Sequence, residues 1–83
     1  MTLETLKNAK RVIGIKQVAK AVKKDTVEAV FIADDAEPKV VEPIEMLCGE
    51  HGVPISRVAT MKELGTACSI EVGAAAAAAV KQS

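Results

Sequence analysis

The spacing of apolar positions switches several times along this chain, and each switch marks an element. Leu3 and Leu6 sit behind Thr2, which predicts a short capped helix running to about Ala9. Arg11-Val12-Ile13 reads as a short strand halted by Gly14. Ile15, Val18, Ala19 and Val22 then recur every three or four residues, so residues 15–24 form a helix with one inward stripe. Asp25-Thr26 turns the chain into Val27–Ala33, the best strand in the sequence. The loop "DDAEP" leads into a helix with Pro38 in its first turn. Ile44, Leu47 and Cys48 face inward along it, Pro43 predicts a kink or a delayed start, and Gly52 ends it. "VPISRVA" (53–59) is a further strand, and Thr60 with Glu63 three residues on is a capping box for helix 61–67.

Strands and helices therefore alternate, which predicts an α/β fold, a three-layer α/β/α sandwich. The tail "EVGAAAAAAV" is the ambiguous segment. Alanine is the best helix former, yet one more strand would complete the central sheet and let helices approach it closely. Both readings stay open at this point. Nearly half of the residues are apolar but Phe31 is the only aromatic, so the core packs small side chains. Such a surface offers little on which bases could stack, which argues against a sheet-face reader of single strands.

Charge adds a second pattern. The net charge is zero, but residues 1–24 carry a balance of +6 and residues 25–50 one of −7. A split of this kind fits a basic face for a polyanion and an acidic face that limits promiscuous sticking. Lys16, Lys20 and Lys24 run down one side of helix 15–24. Lys16 in the first turn opposes the helix dipole at a cost of about 0.3–1 kcal/mol. Each like-charge pair four residues apart adds about 0.2–0.5 kcal/mol. A polyanion bound at the helix start would neutralise these penalties; a merely solvated basic face is the plainer account. Lysine donors match guanine O6 and N7, and a glutamine amide can donate and accept at a base edge. Lys16-Gln17 thus reads as a recognition head, with Lys20 and Lys24 on phosphates and Lys23 or Arg11 beside them.

Other candidates are weaker. Cys48 and Cys68 belong to no paired motif, and Cys48 with His51 supplies only two of the ligands a metal site needs. Both thiols read as small buried hydrophobes of a reducing compartment, with no cofactor implied. Asp34, Asp35 and Glu37 have no nucleophile nearby in sequence, and complementing the dipole of the helix that follows accounts for them. A small enzyme built on Asp34, Asp35 or His51 is the remotest reading. Residues 1–9 are amphipathic and mixed in charge, and no stretch is long enough to span a bilayer, so a cytoplasmic protein without membrane contact is expected.

Four blocks, "GIKQVAKAV", "VFIADDAEP", "LCGEHGVPI" and "MKELGTACSIEVGAAAAA", fall in an order and spacing that resembles the large-subunit ribosomal protein 7Ae/30e family. The likeness is greatest to its short bacterial YbxF-type members, which bind kink-turn RNA, and it spans about residues 5–80. It implies that residues 1–83 are a single RNA-binding domain with a mixed four-stranded sheet and the alanine tail as last strand. The implied partner is structured RNA, ribosomal or riboswitch-like, with a sharp bend and tandem sheared G·A pairs; the protein is expected to bind it as a monomer and without catalysis. The family's Gly-x-Asn-Glu-x-x-Lys pattern falls on Gly14, Lys16, Gln17 and Lys20, with Ile15 inside it and Lys16-Gln17 replacing Asn-Glu. Its contact loop falls on Ala67, Cys68, Ser69, Ile70, Glu71 and Val72, with Ile70 and Val72 as surface contacts to the kink. Glu37 falls at an acidic position expected to orient Lys16 or Lys20. Ser69 departs from the family's usual glycine, and a serine would pay in strain for a positive φ, so either the loop avoids that conformation here or Ser69 tunes RNA affinity. The rival within the family is a ribosome-associated structural protein that acts mainly through protein contacts.

Overall fold

Leu6 and residues 10–81 are described by the structure, a computed structural model. The elements are β1 (Arg11–Ile13), α1 (Ile15–Lys23), β2 (Val27–Ala33), α2 (Pro38–His51), β3 (Ile55–Val58), α3 (Met61–Ala67) and β4 (Ala76–Val80). The predicted helix from Thr2 to Ala9 lies outside the described residues except for Leu6, which is fully buried.

The strands form one mixed sheet in the order β1-β4-β2-β3. β4 runs antiparallel to both neighbours, with Ile13 opposite Ala77 and Ile32 opposite Ala76. β3 runs parallel to β2, and α2 makes the crossover between them. α1 and α2 pack on each other, α1 also lies against β1 and β4, and α3 lies against β2, β3 and β4. The result is the expected α/β/α sandwich. Phe31, Leu6, Ile32, Ile44, Leu64, Val18, Val22 and Val30 are among its largest fully buried side chains.

The alanine tail is resolved in favour of the strand. Ala76, Ala77, Ala78 and Ala79 are all fully buried, and β4 pairs on both sides. A central strand satisfies every backbone group, and a methyl on each face lets both helical layers close in. This tertiary gain overrides alanine's helix preference, which is worth only tenths of a kcal/mol per residue.

One expectation needs correction. Pro43 does not delay α2; the helix starts with Pro38 at its head and continues through Pro43 to a left-handed cap at Gly52 (φ 67°). Pro43 and Lys39 are both exposed, so water can take the Lys39 carbonyl that the missing N–H leaves bare. In α1 Val18 and Val22 are fully buried and Ile15 and Ala19 pack half-buried on the core, as the stripe predicts. Ala21 is buried as well, because α1 packs against α2 as well as against the sheet.

Candidate nucleic-acid interface

One end of the sheet gathers nearly all the candidate residues, for a topological reason. β1, β2 and β3 finish at this end and β4 begins there, so four connections meet. Gly14 N–H donates to Ala76 O (3.0 Å), Ala33 N–H to Ala75 O (3.0 Å) and Asp34 N–H to Val58 O (2.7 Å). The head of α1, the 34–37 loop, the head of α3 and the 68–75 loop therefore lie side by side. Residues that are up to 58 positions apart, such as Gly14 and Val72, are neighbours of one surface.

The head of α1 is built around Gly14, whose φ of 97° and ψ of 151° are reserved for glycine. A side chain there would meet nothing within 4 Å, so the space before the helix is open. Val18 N–H donates to Gly14 O (2.9 Å) as the first bond of the helix. The N–H groups of Ile15, Lys16 and Gln17 thus have no intrahelical acceptor. No side chain caps them, and no acidic residue stands in the first turn. Lys16, Gln17 and Lys20 are exposed, whereas Ile15 leans against the core. Lys24 caps the far end of α1, about 15 Å along the axis from Gly14. The structure does not bring it to this end.

The 66–72 segment carries its own architecture. Ser69 has φ 62°, so the serine occupies the left-handed region. Its N–H donates to Thr66 O (3.0 Å) and the Ile70 N–H to Gly65 O (3.0 Å). This pair of bonds is a Schellman motif, with Ser69 where glycine usually stands. The motif turns Ile70 back toward the helix. Ile70 is accordingly half-buried and packed on the core, not the free surface contact expected from the sequence. Ala67 and Cys68 are buried, which leaves Ser69, Glu71 and Val72 as the exposed side chains. Val72 is 70% exposed, the most exposed large apolar residue described.

Beyond this turn the loop is held tightly. A side chain on Gly65 would collide with the Val72 carbonyl, and one on Gly73 would press on Met61 Cβ at 3.0 Å. Ala74 N–H donates to Met61 O (3.0 Å). Backbone thus lies on backbone, which only glycines allow.

Several residues at this end act differently from the sequence reading. Asp35 complements a helix dipole, but that of α3 rather than α2: its Oδ1 accepts from Met61 N–H at 2.7 Å. Thr60 Oγ1 accepts from Glu63 N–H at 3.1 Å, as expected of the capping box. Asp34 stands 3.8 Å from Arg57 Nε, and Glu45 accepts from the same guanidinium at 2.9 Å. Glu37 caps α2 by position only and, among the described residues, pairs with neither Lys16 nor Lys20. Arg11, a candidate phosphate contact, is turned to Cys68 O, to which Nε (3.3 Å) and an Nη (3.0 Å) both donate. Lys62, exposed beside the α3 cap, is a further cation at this end. Sequence reasoning missed it because it belongs to no periodic basic face.

Burial raises the thiol pKa of Cys48 and of Cys68, in the latter against a smaller opposing pull from the Arg11 charge. Both thiols are free, buried and protonated at neutral pH, which makes them poor nucleophiles. Among the described residues no group of three or more His, Cys, Asp or Glu could hold a metal ion. No helix there is long and apolar enough to cross a membrane.

Comparison with known proteins agrees with this geometry. Residues 2–83 match the model of the ribosomal protein L7Ae/L30e/S12e/Gadd45 family. An RNA-binding protein of Caldanaerobacter subterraneus is 54% identical over 71 residues, covering 86% of this chain and 87% of its own. The RNA-binding protein YbxF of Geobacillus stearothermophilus is 40% identical over 78 residues, 94% of this chain and 95% of its own. Among solved structures, a 15.5 kD RNA-binding protein of Giardia lamblia superposes with a TM-score of 0.88 at 29% identity, covering 96% of this chain and 71% of that one.

Proposed function

Since the chain belongs to the ribosomal protein L7Ae/L30e/S12e/Gadd45 family, we propose that it is a non-enzymatic RNA-binding protein that grips a kink-turn through the end of the sheet described above. The observation that carries this reading is the uncapped head of α1, with Lys16 and Gln17 exposed beside three N–H groups that have no intrahelical acceptor. RNA supplies what the helix lacks. A guanine edge in a sheared G·A pair offers O6 and N7 to Lys16 and Gln17, and a phosphate beside it neutralises the dipole and Lys20. Ser69, Glu71 and Val72 are exposed at the same end of the sheet, with Val72 as an apolar contact for the unstacked side of the bend. Two names among the relatives, both RNA-binding proteins of bacteria, support the same partner class. The buried free thiols favour the cytoplasm as its compartment.

The test is a shift assay with a kink-turn duplex and a control lacking the G·A pairs. Tight binding to the first and much weaker binding to the second is expected. Few cations reach the site end, so affinity should fall with log salt at a slope of about −2 to −4. Equal binding to both duplexes, or a slope near −8, would reduce the helix to a basic surface.

A further inference from the structure

We propose that Arg11 is a positioning residue for the RNA-facing turn: its guanidinium holds the Cys68 carbonyl and so sets the geometry of Ser69 to Val72, and it is not itself a phosphate ligand. The proposal rests on the RNA-binding reading above, and it concerns a residue that the charge pattern alone would assign to the backbone of the nucleic acid.

Three observations lead there. The first is the contact itself. Nε and an Nη of Arg11 converge on one oxygen, Cys68 O, at 3.3 and 3.0 Å, across 57 positions of sequence. That oxygen is the last carbonyl of the α3 turn, left without a backbone donor by the helix end. A cation there satisfies the carbonyl and the negative end of the helix at once.

The second is what the contact restrains. Cys68 directly precedes Ser69, which holds φ 62° without being a glycine. A strained residue persists only where its surroundings over-determine it. Downstream, Gly65 against the Val72 carbonyl and Ala74 N–H on Met61 O pin the far side of the loop. Arg11 fixes its near side. The exposed side chains of Ser69, Glu71 and Val72 are thus presented from a turn held at both ends.

The third is where Arg11 comes from. It lies three positions before Gly14, on β1, whose next residues run directly into the head of α1. The same strand therefore places both halves of the interface. Their separation is set by one hydrogen-bonded arm rather than by loop packing alone.

The experiment compares Arg11→Ala and Arg11→Gln with the parent. In glutamine the amide nitrogen takes the place along the side chain that Nε has in arginine, so it can still donate to Cys68 O while carrying no charge. Two readouts are used: amide hydrogen exchange at Ser69 and Ile70 in the free protein, and affinity for the kink-turn duplex as a function of salt. Arg11→Ala is expected to speed exchange at both amides and to weaken binding about tenfold. Arg11→Gln should stay near the parent in both, and all three proteins should share one salt slope.

If Arg11→Gln loses as much affinity as Arg11→Ala and the slope flattens by about 0.9, the side chain is a phosphate ligand and the proposal fails. Unchanged exchange in Arg11→Ala also overturns it, as does faster exchange with parental affinity. Should Arg11→Ala not fold, Arg11→Gln decides alone through its affinity and slope. A parent that does not distinguish kinked from control RNA would defeat the proposed function instead, and the exchange arm would still decide whether Arg11 holds the turn.

Discussion

Three helices begin at the same end of the sheet, and the first turns of α1 and α3 are built in opposite ways. The head of α3 is closed: Thr60 Oγ1 accepts from Glu63 N–H, Asp35 Oδ1 accepts from Met61 N–H, and Glu63 supplies a negative charge in the first turn. The head of α1 is open: Gly14 offers no side chain, no acid stands in its first turn, and Lys16 adds a positive charge to the positive end of the dipole. A chain that caps one helix so fully has no physical difficulty in capping another. The contrast marks α3 as a structural element whose start is satisfied from within. α1 is the helix whose start is left for a ligand.

The largest expected effect breaks this contrast by giving α1 what α3 has. Lys16→Glu places an acid in the first turn and should stabilise the fold by about 0.3–1 kcal/mol. The same change should cut affinity for the kink-turn duplex by about 100-fold, on the scale of one lost base-edge contact and a new repulsion. A rise in melting temperature together with loss of binding is the signature; binding that survives would show that the head of α1 faces no RNA. Gln17→Ala is the gentler version, with a loss of about 1–3 kcal/mol in affinity and a melting temperature that hardly moves.

Opening α3 tests the other half. Asp35→Ala leaves the Met61 N–H unmet and should cost about 1–2 kcal/mol of stability, read as a drop of several degrees in melting temperature. Affinity per folded molecule should change far less. If Asp35→Ala instead abolished binding without lowering stability, the two helix heads would have exchanged roles.

Smaller again is Ser69→Gly. Relief of the left-handed serine is worth about 1–2 kcal/mol, offset by about 0.5–1 kcal/mol of extra chain entropy. A net gain in stability of about 0–1.5 kcal/mol, read as a higher denaturant midpoint, is expected. A net loss would mean that the serine side chain contributes a contact that outweighs its strain.

The smallest effect concerns pH. Burial raises both thiols above the ordinary value of 9.0, so above that pH the unfolded chain releases protons that the native chain retains. Stability from these groups is complete below the unfolded value and declines as pH rises past it. The parent should therefore lose more melting temperature between pH 8 and 10 than a Cys48→Ala, Cys68→Ala variant does. Equal losses would show that neither thiol is protected. As neither cysteine lies on the open head of α1, binding should keep its salt slope in that variant.

Much of this molecule was legible in local pattern. The 3.6-residue stripe of α1, the strand at Val27–Ala33, the Pro38 start, the Gly52 stop and the Thr60 cap each rest on contacts within a few residues, so the sequence by itself determined them. Lys16 was legible as an anomaly for the same reason: its conflict with the dipole is internal to one turn. What only the tertiary structure decided are the relations between distant segments. The alanine tail became a strand because two neighbours paired it, which outweighs a local preference for helix. Asp35 went to α3 and Arg11 to Cys68 because sheet order brings those backbone groups within reach, and no spacing in the sequence encodes that reach. Ile70 turned inward because a helix-ending motif forms around Ser69, where the residue type argued against it. Local interactions can be read from one stretch of chain, whereas an atom's partner across 57 positions exists only once the sheet has been assembled.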